Sequence, residues 1–318
     1  MSADELDPRL DLLKGLDPSA CRVEYSKTPI VLLCGGQVKC KVAPDGPDPT
    51  VSSLRHAITR LHTDYEVFRP EEIDSWQSDA IFKDLMRFEL ELAAVCSLII
   101  IILESEGAIA ELGAFSQVPE LGEKIIAVCP EKFKNANSFI NFGILRFIAA
   151  NNDSNVKSYP WTPNQNPFIV CDELVADVAA DIQEELDKLP KTESLKVNRH
   201  SHILVLICEF LRLFSALKES EIAQYLKIFG ADVTVDSLRG KLFLLQEFQL
   251  IKSQGYGGSD FYLCGKKSHH TLRLATLSVT KPKDLLRIQS ECLEFYNASS
   301  KHRNRIRAIS QARAGAVA

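Results

Sequence analysis

The sequence contains no run of about 18 apolar residues, the shortest that crosses a bilayer as a helix, so no membrane span is expected. Its most apolar stretch, residues 93–103, is too short for that role and suits a buried strand with its lead-in. The N-terminal MSADELDPRL has neither the basic nor the apolar part of a secretory signal. None of the nine cysteines forms a C-x-x-C pair, and their number is odd. Cys34, Cys96, Cys129 and Cys208 lie inside apolar runs, as small buried hydrophobes of a reducing compartment do; a disulfide framework and a zinc site are both excluded. His56, His62, His200 and His202 fall at no metal-ligand spacing. The chain also lacks G-x-G-x-x-G and G-x-x-x-x-G-K-S/T, which excludes the glycine-rich dinucleotide fingerprint and the P-loop. These absences lead to the expectation of a cytoplasmic, metal-free protein.

What is present is ordinary globular composition: 318 residues, 46% hydrophobic and 25% charged, enough chain for two domains with separate cores. The net charge of −5 hides an asymmetry. From Gly265 onward 11 Lys and Arg face 3 Asp and Glu, a balance of +8 that leaves −13 on the remainder. A basic end on an acidic body is either a solvated tail or the contact for an anionic partner.

Along the chain, Pro29-Ile-Val-Leu-Leu-Cys-Gly-Gly36 is a short apolar run stopped by two glycines, as in a buried parallel strand. A Pro, Asp and Gly loop (43–49) precedes a helix over 51–63, then a strand over 66–70. Helical spacing of Ile81, Leu85, Phe88 and Leu92 predicts a helix over 79–95. Strands follow at 97–103 and 124–129, with helices at 108–115 and 172–186. This alternation predicts an α/β domain with a doubly wound parallel sheet of the Rossmann or flavodoxin kind over residues 1–190. A polar linker (189–199) separates it from a second domain, 191–318. There, helices at 202–214, 218–226 (with Ser220 as N-cap) and 234–246 precede two short strands, 248–253 and 260–264. Three helices and a glycine-turned hairpin describe a winged helix, followed by a last helix over 283–307.

Ligands of such sheets gather at the carboxyl ends of the strands. That rule selects three loops: Cys34-Gly35-Gly36-Gln37, Arg69-Pro70-Glu71-Glu72 and Glu104-Ser105-Glu106-Gly107. The third leads into a helix that carries Glu111. A fixed carboxylate beside an anomeric carbon can stabilise, or attack, the cation formed when a glycosidic bond breaks. The dipole of a helix N-terminus favours such an anion. Glu104 and Glu106 are acids of the same loop. From spacing alone a surface role for Glu111 remains the commoner explanation, because acids are frequent in first helical turns. Cys34, Gly35 and Gly36 allow close backbone approach to a ribose or phosphate, or they make an ordinary turn. Asn141, within Ser138-Phe-Ile-Asn-Phe-Gly143, borders a base or ribose, or belongs to a packed turn.

Five motifs in order (Leu33-Cys-Gly-Gly36, Val67-Phe-Arg-Pro-Glu-Glu72, Glu104-Ser-Glu-Gly107, Glu111-Leu-Gly-Ala-Phe-Ser116, and Lys132-Phe-Lys with Ser138-Phe-Ile-Asn-Phe-Gly143) carry a resemblance over most of residues 29–150. The chain resembles the effector proteins of bacterial retrons that join a nucleoside 2-deoxyribosyltransferase-like domain to a winged helix. The resemblance implies Glu111 as the catalytic carboxylate, assisted by Glu106 or Glu104. It implies substrate contacts at Cys34, Gly35, Gly36, Pro70, Glu71, Ser105, Gly107 and Asn141. It also implies a toxin of anti-phage defence that breaks an N-glycosidic bond, with NAD as substrate and no cofactor. Its implied partners are a reverse transcriptase and multicopy single-stranded DNA (msDNA) with its non-coding RNA, in an assembly that can extend to filaments. Two departures stand out. Ser105 occupies the position of the aspartate that transferases place six residues before the nucleophile, and Cys96-Ser97 replaces another at the third strand. Both point to hydrolysis, or a different base, over base exchange. The sparse cations of 234–246, Arg239 and Lys241, fit protein docking or backbone contacts as well as groove reading. The rival expectation is a nucleotide-sensing winged-helix DNA-binding regulator without turnover.

Overall fold

A computed structural model describes residues 7–41, 46–73, 81–134, 136–267, 269–277 and 284–314. Parts of the expected loop at 43–49 and of the helices expected from 79 and from 283 lie outside these residues. The chain divides into two compact units, one formed by 27–78 with 83–189, the other by 1–26, 79–82 and 190–318. The N-terminal segment, grouped with the α/β domain on sequence, thus clusters with the C-terminal unit. Its helix α1 (Pro8–Lys14) is capped by Asp7, and its strand β1 (Arg22–Glu24) becomes the centre of a sheet described below.

The α/β unit is built on five parallel strands: β2 (Ile30–Cys34), β3 (Glu66–Phe68), β4 (Leu98–Ile102), β5 (Ile125–Pro130) and β6 (Val156–Tyr159). Their spatial order is β3-β2-β4-β5-β6, the 2-1-3-4-5 order of flavodoxin-like sheets, with its switch point between β2 and β4. Every residue of β2, β4 and β5 is buried, which explains why each reads as an unbroken apolar run. The helices are α2 (Leu54–Ile58), α3 (Leu85–Val95), α4 (Glu106–Ser116), α5 (Pro119–Gly122), α6 (Arg146–Asn151) and α7 (Asp172–Asp187).

Val31, Leu33, Ile100, Ile102, Ile126 and Val128 pack with Leu54 and Ile58 of α2 and Val178 and Ile182 of α7. Because side chains alternate along a strand, Leu32 and Cys34 face the opposite side. The expected helix over 51–63 shrinks to one short turn with Ser53 as N-cap. The strand β6 was not foreseen, and neither was the π-helical turn Ile140–Leu145.

In the other unit, helices α8 (His200–Phe214), α9 (Glu219–Ile228) and α10 (Val235–Glu247) precede the antiparallel hairpin of β8 (Ile251–Tyr256) and β9 (Ser259–Cys264). Gly257 and Gly258 turn the hairpin at positive φ. The helix α9 starts at Glu219, not at a Ser220 cap: Glu221 accepts from the Lys218 backbone N–H at 2.8 Å and closes the first turn. The expected linker contains a strand, β7 (Thr192–Ser194), which with β10 (Thr271–Arg273) flanks β1 in an antiparallel sheet. The expected last helix is two: α11 (Leu285–Ala298) and α12 (Arg303–Ala314). Ser299 adopts an extended conformation and its hydroxyl caps the following 3-10 turn. No helix among the described residues is long and apolar enough to cross a membrane.

Candidate active site

The switch point of the α/β unit brings the first and third selected loops together. Glu104, at the end of β4, is buried. Its Oε1 accepts from the backbone N–H of Gly36 at 3.0 Å and of Arg55 at 2.9 Å, and its Oε2 from Leu54 N–H at 2.8 Å. Leu54 and Arg55 open α2, so Glu104 occupies the helix N-terminus that follows the first strand, where a ligand phosphate sits in dinucleotide folds. Burial raises the Glu104 pKa, and the three amides pull it down without fully compensating.

The two glycines serve this clasp. A Cβ on Gly36 would lie 2.7 Å from Ser53 Cβ and 3.0 Å from the Glu104 carboxyl, and one on Gly35 would lie 3.1 Å from Arg55 Cβ. The close approach that the sequence assigned to a ligand is, in this structure, an approach to protein. Replacing Glu104 with alanine leaves three buried amides without their acceptor. At about 1 kcal/mol or more for each orphaned donor, a loss of about 3 kcal/mol is expected in urea unfolding.

Arg55 is the organising cation, and the sequence reading missed it. Its guanidinium is buried. It donates through Nε to Leu33 O at 2.8 Å and through Nη2 to Glu71 Oε2 at 2.7 Å. Pro70, buried, starts the short 3-10 turn that presents Glu71. Ser105 caps α4 by accepting from Ala108 N–H at 3.2 Å, and its hydroxyl donates to Gly35 O at 3.0 Å, tying the two loops.

Glu111 is the sixth residue of α4. It therefore lies in the second turn, beyond the strong part of the dipole invoked from sequence. The Cys34 thiol lies near it and favours the charged carboxylate, which holds the Glu111 pKa down. Burial, and next the Glu111 charge, push the Cys34 thiol well up, so it remains a protonated donor. Glu111 Oε2 is buried and makes no hydrogen bond. Burial raises the Glu111 pKa; the Cys34 thiol and Arg55 oppose the rise, and Glu71 adds to it.

A second missed residue completes the group. Glu89 of α3 is buried, and its carboxyl is pushed up to about 7 by burial first, then by Glu111 and Glu71, against the pull of Arg55. In the unfolded chain the proton leaves near 4.5. Folded and unfolded states are both protonated well below that value, so no cost arises there. As pH rises through about 7 the folded state loses stability relative to the unfolded one. A shift from 4.5 to about 7 corresponds to at most about 3 kcal/mol, and partial exposure reduces it to about 2 kcal/mol. Glu89→Gln is therefore expected to leave urea stability unchanged at pH 4 and to raise it by about 2 kcal/mol at pH 8.

The remaining candidates stand apart from this group. Glu106 and Gly107 are exposed in the first turn of α4, and a Cβ on Gly107 would meet only the Ser105 hydroxyl, at 4.0 Å. Asn141 spends its amide on its own loop, donating to Phe133 O and Lys134 O at 2.8 Å and to Ala136 O at 3.0 Å. Among the described residues no group of three or more His, Cys, Asp or Glu could hold a metal.

Fold and site together define a flavodoxin-order α/β protein with a buried carboxylate cluster at its switch point. A family model described as "STM3845 retron effector protein" matches residues 51–253, almost two thirds of the chain. The chain belongs to this retron effector family. It is 32% identical over 130 residues to the Escherichia coli protein named "Retron Ec86 putative ribosyltransferase/DNA-binding protein", covering 40% of this chain and 39% of that one. It is 38% identical over 74 residues to the corresponding Retron Ec73 protein of Escherichia coli, covering 23% of each. The alignments thus span well under half the length of these relatives.

Proposed function

We propose that this chain is the toxic effector of a retron anti-phage system and cleaves the N-glycosidic bond of NAD or a related nucleotide. The observation that carries this reading is the Glu111 carboxylate, which has a buried oxygen, Oε2, without a hydrogen bond and stands at the rim where flavodoxin-order sheets bind ligands. In the reaction, the bond between nicotinamide nitrogen and ribose C1′ breaks and its electron pair returns to the nitrogen, neutralising the pyridinium. The cation left on C1′ is stabilised or trapped by Glu111, and water then adds to C1′ and loses a proton. Glu89, which holds its proton up to about 7, is the nearby group able to exchange it. The ribosyltransferase wording in the names of the two Escherichia coli relatives agrees with chemistry at a ribosyl carbon.

The second unit is read as a winged helix on the order of its elements, three helices and a hairpin. Its α10 is poorly equipped for a major groove: Arg239 pairs with Glu219 at 3.0 Å, and Lys241 is buried with Nζ 3.2 Å from His200 Nδ1. This favours docking to a protein or a nucleic-acid backbone, consistent with restraint by a complex of reverse transcriptase and msDNA. The basic end is the natural contact for the DNA or its RNA. The test is direct: purified protein, alone and with the proteins and msDNA of its operon, is incubated with NAD while free nicotinamide is followed. Release by the free protein, suppressed in the complex, is expected; intact NAD under both conditions refutes the reading.

A further inference from the structure

We propose that a basic cleft on the α/β unit, beside the edge strand β3, binds phosphate, with room for the diphosphate of a nucleotide. The cleft has a volume of about 320 Å³, and its cations are Lys39, Lys41, Arg60 and Arg69. The two acids among its described residues are each matched to one of them, Asp48 to Lys41 at 2.9 Å and Glu72 to Arg69 at 2.7 Å. Lys39 and Arg60 make no ion pair with a carboxylate among the described residues. Arg60 is fixed instead by donating to Pro49 O. Among the described residues a surplus of two positive charges therefore faces the cleft.

His56 completes the wall. Its Nδ1 accepts from Ser52 N–H at 3.2 Å, which leaves Nε2 to carry the proton of the neutral ring. Burial, and then Arg60, Lys39 and Arg69, hold its pKa below the usual imidazole value. The ring thus stays a neutral donor among fixed cations. Among the described residues no aromatic side chain other than His56 lines the cleft, so it suits the anionic part of a nucleotide and not its base.

A second observation points the same way. The N-terminus of α2, the first place to look for a phosphate in this topology, is filled by Glu104. A nucleotide bound near Glu111 must place its phosphates elsewhere, and the surplus charge lies two residues beyond His56-Ala57-Ile58, on Arg60, and just past Gly36, on Lys39. Phosphate binding stands on this geometry alone. Its consequence, that the protein selects phosphorylated nucleotides over nucleosides, rests on the proposed glycosidase reading.

The test uses the full chain and calorimetric titration with pyrophosphate, ADP and adenosine. Pyrophosphate and ADP are expected to bind, more weakly as salt rises. Lys39→Glu and Arg60→Glu, both at exposed positions, are expected to weaken each at least tenfold while adenosine binding stays as it was. A single-stranded DNA oligonucleotide that displaces pyrophosphate identifies a nucleic-acid backbone as the source of the phosphate; displacement by ADP alone identifies a free nucleotide. No pyrophosphate binding at millimolar concentration, or equal binding by wild type and both folded variants, overturns the proposal. Pyrophosphate binding by a protein that leaves NAD intact refutes the glycosidase reading and leaves the cleft standing.

Discussion

Glu111→Gln is expected to reduce nicotinamide release from NAD about a thousandfold or more, in a protein that folds at least as well as the wild type. The substitution preserves shape and leaves the neighbouring Cys34 thiol undisturbed. What disappears is the negative charge. Opposite charges about 4 Å apart in the effective dielectric of a partly buried site attract by about 4 kcal/mol, and about 4 kcal/mol of transition-state stabilisation is about three orders of magnitude in rate. Stability moves the other way. Burial already disfavours the carboxylate, so removing the charge relieves a strained group instead of breaking a bond. This separates Glu111 from Glu104, whose loss costs stability through orphaned amides. The same burial sets a pH signature: release is expected to climb as pH rises through an apparent pKa above the ordinary glutamate value. Undiminished turnover by a folded Glu111→Gln protein would remove the catalytic assignment.

Much of the α/β unit was legible because a parallel strand buried on both faces must be apolar throughout. Ile30–Cys34 and Leu98–Ile102 meet that demand at every position. The strand Val156–Tyr159 does not: as an edge strand it is half exposed, and its sequence VKSY carries no apolar run. The strands β1, β7 and β10 are three residues each, RVE, TES and TLR, too short to display a period. Their pairing joins residues some 170 to 250 positions apart, which no local pattern records. The break between α11 and α12 hides for a related reason, since neither proline nor glycine marks it.

The site divides along the same line. Glu111 was legible as a candidate because motif and loop are local. Arg55 and Glu89 escape the rule that selects loops at strand ends, because both residues lie in helices. Glu89 did leave a trace: with Leu85 four residues before it and Leu92 and Ala93 three and four after, it is an acid on the apolar face of α3, and the structure buries it there. Charged residues on a buried helix face are seldom free of purpose. The clasp formed by Glu104 left no such trace, because its partners are backbone amides 49 to 68 residues away.

Glu221→Ala is expected to destabilise the C-terminal unit by about 4 kcal/mol, read as a lower urea midpoint or Tm with secondary structure retained below the transition. Oε1 of Glu221 accepts from Arg9 Nη1 at 2.8 Å and from Arg305 Nη2 at 2.6 Å, so one carboxylate joins α1, α9 and α12. Both guanidiniums are buried, and both stack on Tyr296, with Arg9 5.4 Å and Arg305 4.7 Å from its ring centroid. Removing the carboxylate leaves Arg9 with Asp7 but Arg305 with only the carbonyl of Ala216, and Arg305 Nε is already buried without a partner. An uncompensated buried cation typically costs about 3–5 kcal/mol, and the cap on Lys218 N–H is lost as well. The pH dependence gives an independent check. The two arginines hold the Glu221 pKa down against the upward push of burial, with a net lowering. Its stabilising share is therefore present above the ordinary glutamate value and is lost as pH falls through the lowered one. The gap between wild type and Glu221→Ala should accordingly narrow in acid. A gap that is constant from neutral to acid pH would mean that lost packing, and not the buried charge network, carries the effect.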